Sequence, residues 1–178
     1  DLLGLDDLYA DIKKASSQHA LAFEALCART IAQSHEPLLT ATKTAVAGNV
    51  IDLASVMMYD LEEELNKIYN TPFAIDDFSA LEMMLPTTKI LVYLADNAGE
   101  EIFDKLYIQT IRSLFPSIDV YYFVRGRPII NDLTCKDALH SGMDKVATIV
   151  DSGVPTPGLA MEFMSDSARA IFEKAGCI

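Results

Sequence analysis

The sequence predicts an α/β fold in which a helical region, residues 1–86, precedes strands that alternate with helices over residues 87–178. Two observations lead to this prediction. Apolar residues recur at helical spacing before Pro86. After it, residues 89–95 and 118–124 are short, nearly continuous apolar runs, typical of strands buried on both faces of a mostly parallel sheet. A turn and a helical segment follow each run, which is the order of elements in an α/β sheet.

Length and composition indicate one compact unit. The chain has 178 residues, of which 51% are hydrophobic and 22% charged, and this excludes a disordered or low-complexity segment. The net charge of −12 disfavours nucleic acid or an anionic membrane as a partner. No apolar run reaches the ~20 residues of a membrane helix, so we expect a soluble protein. Cys27, Cys135 and Cys177 form no C-x-x-C pair, which favours a reducing, cytoplasmic setting.

The helical region is predicted to contain a short leading segment, residues 5–12, and four main helices. These helices cover residues 16–33, 37–48, 51–70 and 77–85. The apolar stripe of the first helix is predicted to consist of Leu21, Ala25, Ala28 and Ala32. Gly48 and Asn49 are expected to end the second helix, and Asp76 or Asp77 to cap the fourth.

The second half is predicted to contain three strands, each followed by a helix. The strands cover residues 89–95, 118–124 and 145–150, and the helices cover 100–114, 134–140 and a segment from about residue 165. The last helix should lead into a further parallel strand. A sheet that ended with the third strand would leave an apolar edge and a helix face uncovered.

Polar residues cluster where the predicted strands end. They are Asp96 and Asn97 after the first strand, Arg125, Arg127, Asn131 and Asp132 after the second, and Asp151, Ser152 and Gly153 after the third. Since parallel strands end at one edge of a sheet, Asp96 and Asp132 can lie close together. Close carboxylates share a proton or bind a cation, and hard oxygen donors suit Mg²⁺ or Mn²⁺ better than zinc. Alternatively, Asp96 and Asn97 only form the turn and cap the next helix.

Several sharper motifs are absent from the sequence. There is no G-x-G-x-x-G after the first strand, no G-x-x-x-x-G-K-[ST] and no G-x-S-x-G, which disfavours nicotinamide binding, a phosphate-binding P-loop and a serine nucleophile elbow. The D-x-D of haloacid-dehalogenase phosphatases is also absent, because Ala98 stands at its third position. A covalent aspartyl-phosphate route of that type is therefore disfavoured.

Several separated motifs carry a family resemblance. They are L-V-Y-L-A-D-N-A-G-E at residues 91–100, F-D at 103–104, V-R-G-R-P-I-I-N-D at 124–132, G-N-x-x-D at 48–52, Asp137, and S-G at 152–153. From about residue 40 onward the chain resembles the family catalogued as domain of unknown function eighty-nine. Its members are described as metal-dependent damage-control phosphatases, and this chain is most similar to the small stand-alone archaeal and bacterial ones.

The resemblance implies a three-layer α/β/α fold with a Rossmann-like sheet beside the helical region. It implies catalysis through a divalent cation held by Asp96, Asn97 and Asp132, with Mg²⁺ and Mn²⁺ favoured over Co²⁺ or Ni²⁺ by the oxygen ligands. The implied reaction is hydrolysis of phosphate monoesters of small metabolites, such as sugar phosphates or damaged phosphometabolites, by a metal-bound water. Loss of either aspartate is expected to spare the fold, because it relieves repulsion between carboxylates.

Six residues are candidates for binding the phosphorylated substrate: Arg125, Arg127, Asn49, Asp52, Glu100 and Ser152. A guanidinium matches a phosphate bidentately, which favours the two arginines. Glu100 has the alternative role of an acid in the first turn of a helix, and Asn49 and Asp52 that of a helix break with its cap. The rival function is a non-catalytic metal- and metabolite-binding or regulatory domain.

The resemblance also bears on the ends of the chain. The early cysteine pair of the family is absent, and its phosphate-contacting lysine is expected just after Ile178. We therefore expect these residues to be a portion of a longer protein. The oligomeric state is left open by the sequence.

Overall fold

The structure, a computed structural model, describes residues 6–54 and 61–178, and the side chains of residues 6–48 and 66–178. The helices of this part are α1 (Ala10–Gln33), α2 (Pro37–Ala54), α3 (Leu61–Asn70), α4 (Phe78–Met84), α5 (Glu100–Leu114), α6 (Cys135–His140) and α7 (Asp166–Phe172). The strands are β1 (Ile90–Leu94), β2 (Asp119–Val124) and β3 (Thr148–Asp151). Short 3-10 turns lie at Leu85–Thr87, Met143–Lys145 and Met161–Phe163. Within the described residues, no helix is both long and apolar enough to cross a membrane.

The three strands form a parallel sheet in the order β1-β2-β3. Ile90 lies opposite Asp119, and Tyr121 lies opposite Thr148. On the free side of β1, Cys177 makes a parallel bridge to Leu91. The chain after α7 therefore returns to the sheet beside β1. The sequence predicts a further parallel strand after the last helix but does not indicate that it lies beside the first strand.

Side chains of β1 and β2 alternate between two apolar layers, which accounts for their nearly continuous apolar sequences. One layer joins Leu91, Val120, Tyr122 and Val124 to buried residues of α1, α2 and α5. The other joins Val92 and Phe123 to Val154, Met164 and Ala168 near α7. Helices cover both faces of the sheet, and the predicted α/β/α class is confirmed. The predicted division at residue 86 stays a prediction, although residues from both sides of it share the first layer.

The buried face of α1 differs from the predicted stripe. Its apolar members are Ala20, Phe23, Cys27 and Ile31, whereas Leu21 is 47% exposed. The ring of Phe23 packs edge-on against Phe103 of α5, with 6.3 Å between the ring centroids. Burial of Phe23, Cys27 and Ile31 removes more apolar area from water than burial of the alternative alanine-rich stripe. The predicted stripe is therefore wrong.

Gly48 and Asn49 do not end the second helix, because α2 continues to Ala54. A Cβ atom at Gly48 would lie 3.1 Å from the ring of Phe103, so the glycine permits close packing of α2 on α5. The predicted helix 51–70 crosses residues 55–60, which lie outside the described residues, as does Leu5 of the leading segment. Leu8 precedes α1, which begins at Ala10.

The third strand also begins later than predicted, at Thr148 rather than at residue 145. Residues 143–145 form a 3-10 turn instead, after Gly142 with a φ of +76°. A left-handed residue followed by a tight turn interrupts extended backbone, so the strand starts only after it.

The carboxyl group of Asp104 lies between α5 and the sheet and is 3% exposed. The hydroxyl of Tyr93 on β1 donates to it at 2.5 Å, and that of Tyr122 on β2 donates at 2.7 Å. Burial raises the pKa of Asp104 to about 7; the two tyrosine hydrogen bonds oppose this shift and the charges of Glu100 and Glu101 add to it.

This shift predicts a specific pH dependence of stability. The carboxyl binds a proton more tightly in the folded protein, so its contribution to stability is lost as the pH rises from the ordinary pKa of 3.8 through about 7. Asp104→Asn removes this loss. Its free energy of unfolding should rise relative to wild type by up to about 3–4 kcal/mol between pH 4 and pH 8, measured by urea denaturation. Asp119→Asn, which removes an exposed carboxyl group on β2, is the control for one lost charge. A difference between Asp104→Asn and wild type that does not vary with pH would contradict this assignment.

Candidate active site at the strand ends

Backbone hydrogen bonds join the loops that follow β1 and β2. Leu133 N–H donates to the carbonyl of Asp96 at 2.8 Å, and Ala98 N–H donates to that of Asn131 at 2.9 Å. These bonds set Asn97 opposite Asp132 in an antiparallel bridge. Residues separated by more than thirty positions in sequence therefore meet at the carboxyl edge of the sheet, which is the usual place for a ligand in an open α/β fold.

Arg125 lies between the two aspartates. Its Nε donates to Asp132 Oδ2 at 2.6 Å, and its NH2 group donates to Asp96 Oδ1 at 3.2 Å. Its other terminal nitrogen donates to the carbonyl of Ala95 at 3.3 Å. The side chains of Arg125 and Asp132 are only 4% and 7% exposed, whereas that of Asp96 is 52% exposed. One buried guanidinium thus pairs with both carboxylates.

Asn97 connects this pair of loops to the start of α5. Its Nδ2 donates to Asp96 Oδ2 at 3.1 Å and to Glu100 Oε1 at 3.0 Å. Glu100 is the first residue of α5 and is 7% exposed. The structure therefore brings together Asp96, Asn97, Asp132, Arg125 and Glu100 from the predicted set.

A buried contact with α1 supports the loop after β1. Glu101 is 1% exposed and accepts hydrogen bonds from the N–H of Gly99 and, at 2.5 Å, from the hydroxyl of Ser17. Burial raises the pKa of Glu101, while these hydrogen bonds act in the opposite direction. Gly99 has a φ of +105°, and a Cβ there would lie 3.3 Å from Ser16, so glycine suits both the turn and the close approach of α1. Sequence reasoning missed this contact because its partners are 84 positions apart.

A second contact ties α1 to the segment after β2. Lys13, 2% exposed, pairs with Asp7 and Asp137, each at 3.0 Å. Asp137 also accepts hydrogen bonds from the backbone N–H and the hydroxyl of Thr134, and the bond from the backbone N–H belongs to the capping box of α6. Burial alone would raise the pKa of Asp137, but the bonds from Thr134 and the charge of Lys13 lower it. The structure thus gives Asp137, part of the family pattern, a clear structural role.

Ser152 lies inside the protein at the end of β3 and is 0% exposed. Its hydroxyl donates to the carbonyl of Val124 at 2.7 Å and accepts from the N–H of Val154 at 3.2 Å. A Cβ at the neighbouring Gly126 would lie 2.6 Å from the carbonyl carbon of Gly153, so only glycine permits this approach of the two loops. These contacts favour a structural role for Ser152 over the predicted contact with substrate.

The remaining candidates are Arg127, Asn49 and Asp52. Arg127 is exposed in the loop after β2. The side chains of Asn49 and Asp52 lie outside the described residues, and their helix passes α5 at Gly48, whose Cβ position would be 3.5 Å from the Cα of Glu100.

The donors at the strand ends fit a magnesium-like cation. Among the residues described, no group of three or more His, Cys, Asp or Glu side chains is placed to hold a metal ion. Mg²⁺, however, commonly binds through one or two carboxylates and keeps several water ligands. Asp96 and Asp132 supply two carboxylates beside the amide of Asn97, and all their oxygens are hard donors.

Comparison with known proteins identifies the family. The whole chain, residues 1–178, matches the family model described as the damage-control phosphatase ARMT1-like domain. The chain belongs to this family.

Relatives of known sequence or structure agree with this assignment. The chain is 31% identical, over 99% of its length, to a damage-control phosphatase of Pyrococcus horikoshii, and 30% identical, over 100%, to one of Archaeoglobus fulgidus. It matches the 2.04 Å crystal structure of a DUF89 family protein from P. horikoshii with a TM-score of 0.86 and 29% identity, over 98% of this chain and 60% of that one. The chain spans only about 60% of the length of the curated relatives it matches.

Asp132 is buried and Asp96 is half-exposed, so replacing each with alanine should lower stability by different amounts. This differs from the expectation that loss of either aspartate spares the fold. Asp132→Ala leaves the buried guanidinium of Arg125 without its 2.6 Å partner and should lower the free energy of unfolding by about 3 kcal/mol. Asp96→Ala removes a half-exposed partner at 3.2 Å and should cost about 1 kcal/mol or less. Urea denaturation of the two variants measures the difference. Equal losses would contradict the view that Arg125 and Asp132 form the dominant pair.

Proposed function

We propose that this chain is part of a divalent-metal-dependent phosphatase that hydrolyses phosphate monoesters of small metabolites, including sugar phosphates or damaged phosphometabolites. Family membership supports phosphatase chemistry. The observation that carries the proposal is the convergence of Asp96, Asn97 and Asp132 at the carboxyl edge of the parallel sheet. A site of oxygen donors there suits a hard cation and a phosphorylated ligand.

In this proposal Asp96, Asn97 and Asp132 hold the cation. When bound, the cation supplies a water of lowered pKa and stabilises negative charge on the phosphoryl oxygens. The chain contributes orientation: Arg125 fixes the Asp132 carboxylate, and Glu100 accepts from Asn97 Nδ2, which orients the amide. Asn97 would be a neutral metal ligand. A third carboxylate in its place would add negative charge to the site and repel a phosphate dianion.

Arg127 is the better placed of the two predicted phosphate-binding arginines. The guanidinium of Arg125 is buried and contacts two carboxylates, whereas Arg127 is exposed in the same loop. An exposed guanidinium can pair bidentately with a phosphate without first breaking a buried ion pair. Asn49 and Asp52 remain proposed substrate contacts from α2.

The proposed setting is the cytoplasm, with a small phosphorylated metabolite as the partner. The three cysteines are free, which suits a reducing compartment. The net charge of −12 disfavours binding to nucleic acid or an anionic membrane.

The proposal is tested with Asp96→Ala in the intact protein, because this substitution is expected to preserve the fold. Loss of one of three proposed metal donors should lower Mn²⁺-dependent hydrolysis of p-nitrophenyl phosphate, measured at 405 nm, by at least about 100-fold. Asp119→Asn, at the opposite end of β2, is the control and should keep the wild-type rate.

Two outcomes would count against the proposal. Wild-type rates for Asp96→Ala at saturating Mn²⁺ would exclude the proposed site. Tight Mn²⁺ binding by the wild-type protein without turnover of a panel of phosphate monoesters would instead favour a non-catalytic metal- and metabolite-binding domain.

A further inference from the structure

The contacts of Arg125 bear on how tightly the proposed site binds metal. Its guanidinium donates hydrogen bonds to Asp132 Oδ2 at 2.6 Å and to Asp96 Oδ1 at 3.2 Å. We propose that Arg125 is a built-in competitor of the cation: its fixed positive charge is paired with the two carboxylates that would hold the cation and thereby limits the metal affinity of the site. This inference rests on the proposed function, since it concerns the same site.

The first support is the geometry of the contact. A 2.6 Å hydrogen bond between a guanidinium and a carboxylate is at the short end for a charge-assisted bond. The positive charge of Arg125 therefore lies directly on a carboxylate that would hold the cation. A cation that binds both aspartates through their remaining lone pairs shares each carboxylate with Arg125 and is repelled by its charge.

The second support is charge. Asp96, Asp132 and Glu100 carry three negative formal charges and Arg125 one positive charge, so this group has a net charge of −2. Without the guanidinium the net charge would be −3, so Arg125 cancels one of the three negative charges that attract a divalent cation. Arginine cannot relieve the repulsion by losing a proton, because its pKa lies far above neutral pH.

The third support is the fixed position of Arg125. The residue is 4% exposed, its N–H donates to the carbonyl of Leu133 at 2.9 Å, and its side chain reaches the carbonyl of Ala95. It is thus anchored in both loops, and solvent screens its charge poorly. A mobile surface arginine would move aside at little cost, but this one cannot do so without losing buried hydrogen bonds.

The test is the dissociation constant of Mn²⁺, measured by isothermal titration calorimetry on the intact protein without substrate. Arg125→Gln should bind Mn²⁺ at least about tenfold more tightly than wild type, because removal of a buried positive charge favours a second cation. Arg125→Lys keeps the charge and should stay closer to wild type. Arg127→Gln removes the same charge from an exposed position two residues away and should change the constant by less than about twofold.

A measurement on the wild-type protein covers the case in which the variant does not fold. The ¹⁵N–¹H signal of Arg125 Nε should shift on titration with diamagnetic Mg²⁺, as its bond to Asp132 weakens. An unshifted Nε signal at saturating Mg²⁺, or unchanged or weaker Mn²⁺ binding by folded Arg125→Gln, would overturn the inference and leave the proposed function standing. No binding of either ion by wild type would refute the metal site of the proposed function, and the inference with it.

Discussion

The buried ion pair between Arg125 and Asp132 is the interaction on which the rest of the site depends. Removing two charges from water is costly, and the cost is offset only when geometry and hydrogen bonds are good. Here the pair is 2.6 Å long, and the same guanidinium reaches Asp96 and the carbonyl of Ala95. The side chain of Arg125, directly after β2, therefore fixes the loop after β1 relative to the loop after β2.

Contacts with α1 add a second constraint on the same loops. Ser17 donates to Glu101, which caps the turn at Gly99, and Lys13 pairs with Asp137 at the start of α6. Each contact is largely buried, so solvent screens it weakly. The helical region is thus a support of the strand-end site. A site held this way keeps its side chains in place before a ligand arrives, which favours binding by preorganisation.

Much of the fold could be predicted from local sequence, and the failures have physical causes. The helix 100–114 lies between strong turn signals at Gly99 and Pro116, and α5 has those bounds. The buried stripe of α1 was missed because it depends on Phe103, far along the chain. The meeting of Asp96 with Asp132 follows from parallel strands. The partner of Arg125 could not be predicted, since a guanidinium suits a phosphate and a carboxylate equally well.

The most direct test of the account is the position of a bound metal ion. Anomalous diffraction from crystals of the intact protein soaked in Mn²⁺ should place a manganese ion in contact with oxygens of Asp96, Asn97 and Asp132. Binding through carboxylate and amide oxygens with water completing the shell is the chemistry expected of this donor set. A fully occupied manganese ion elsewhere in the protein, with both aspartates still paired to Arg125 and not in contact with metal, would contradict the account.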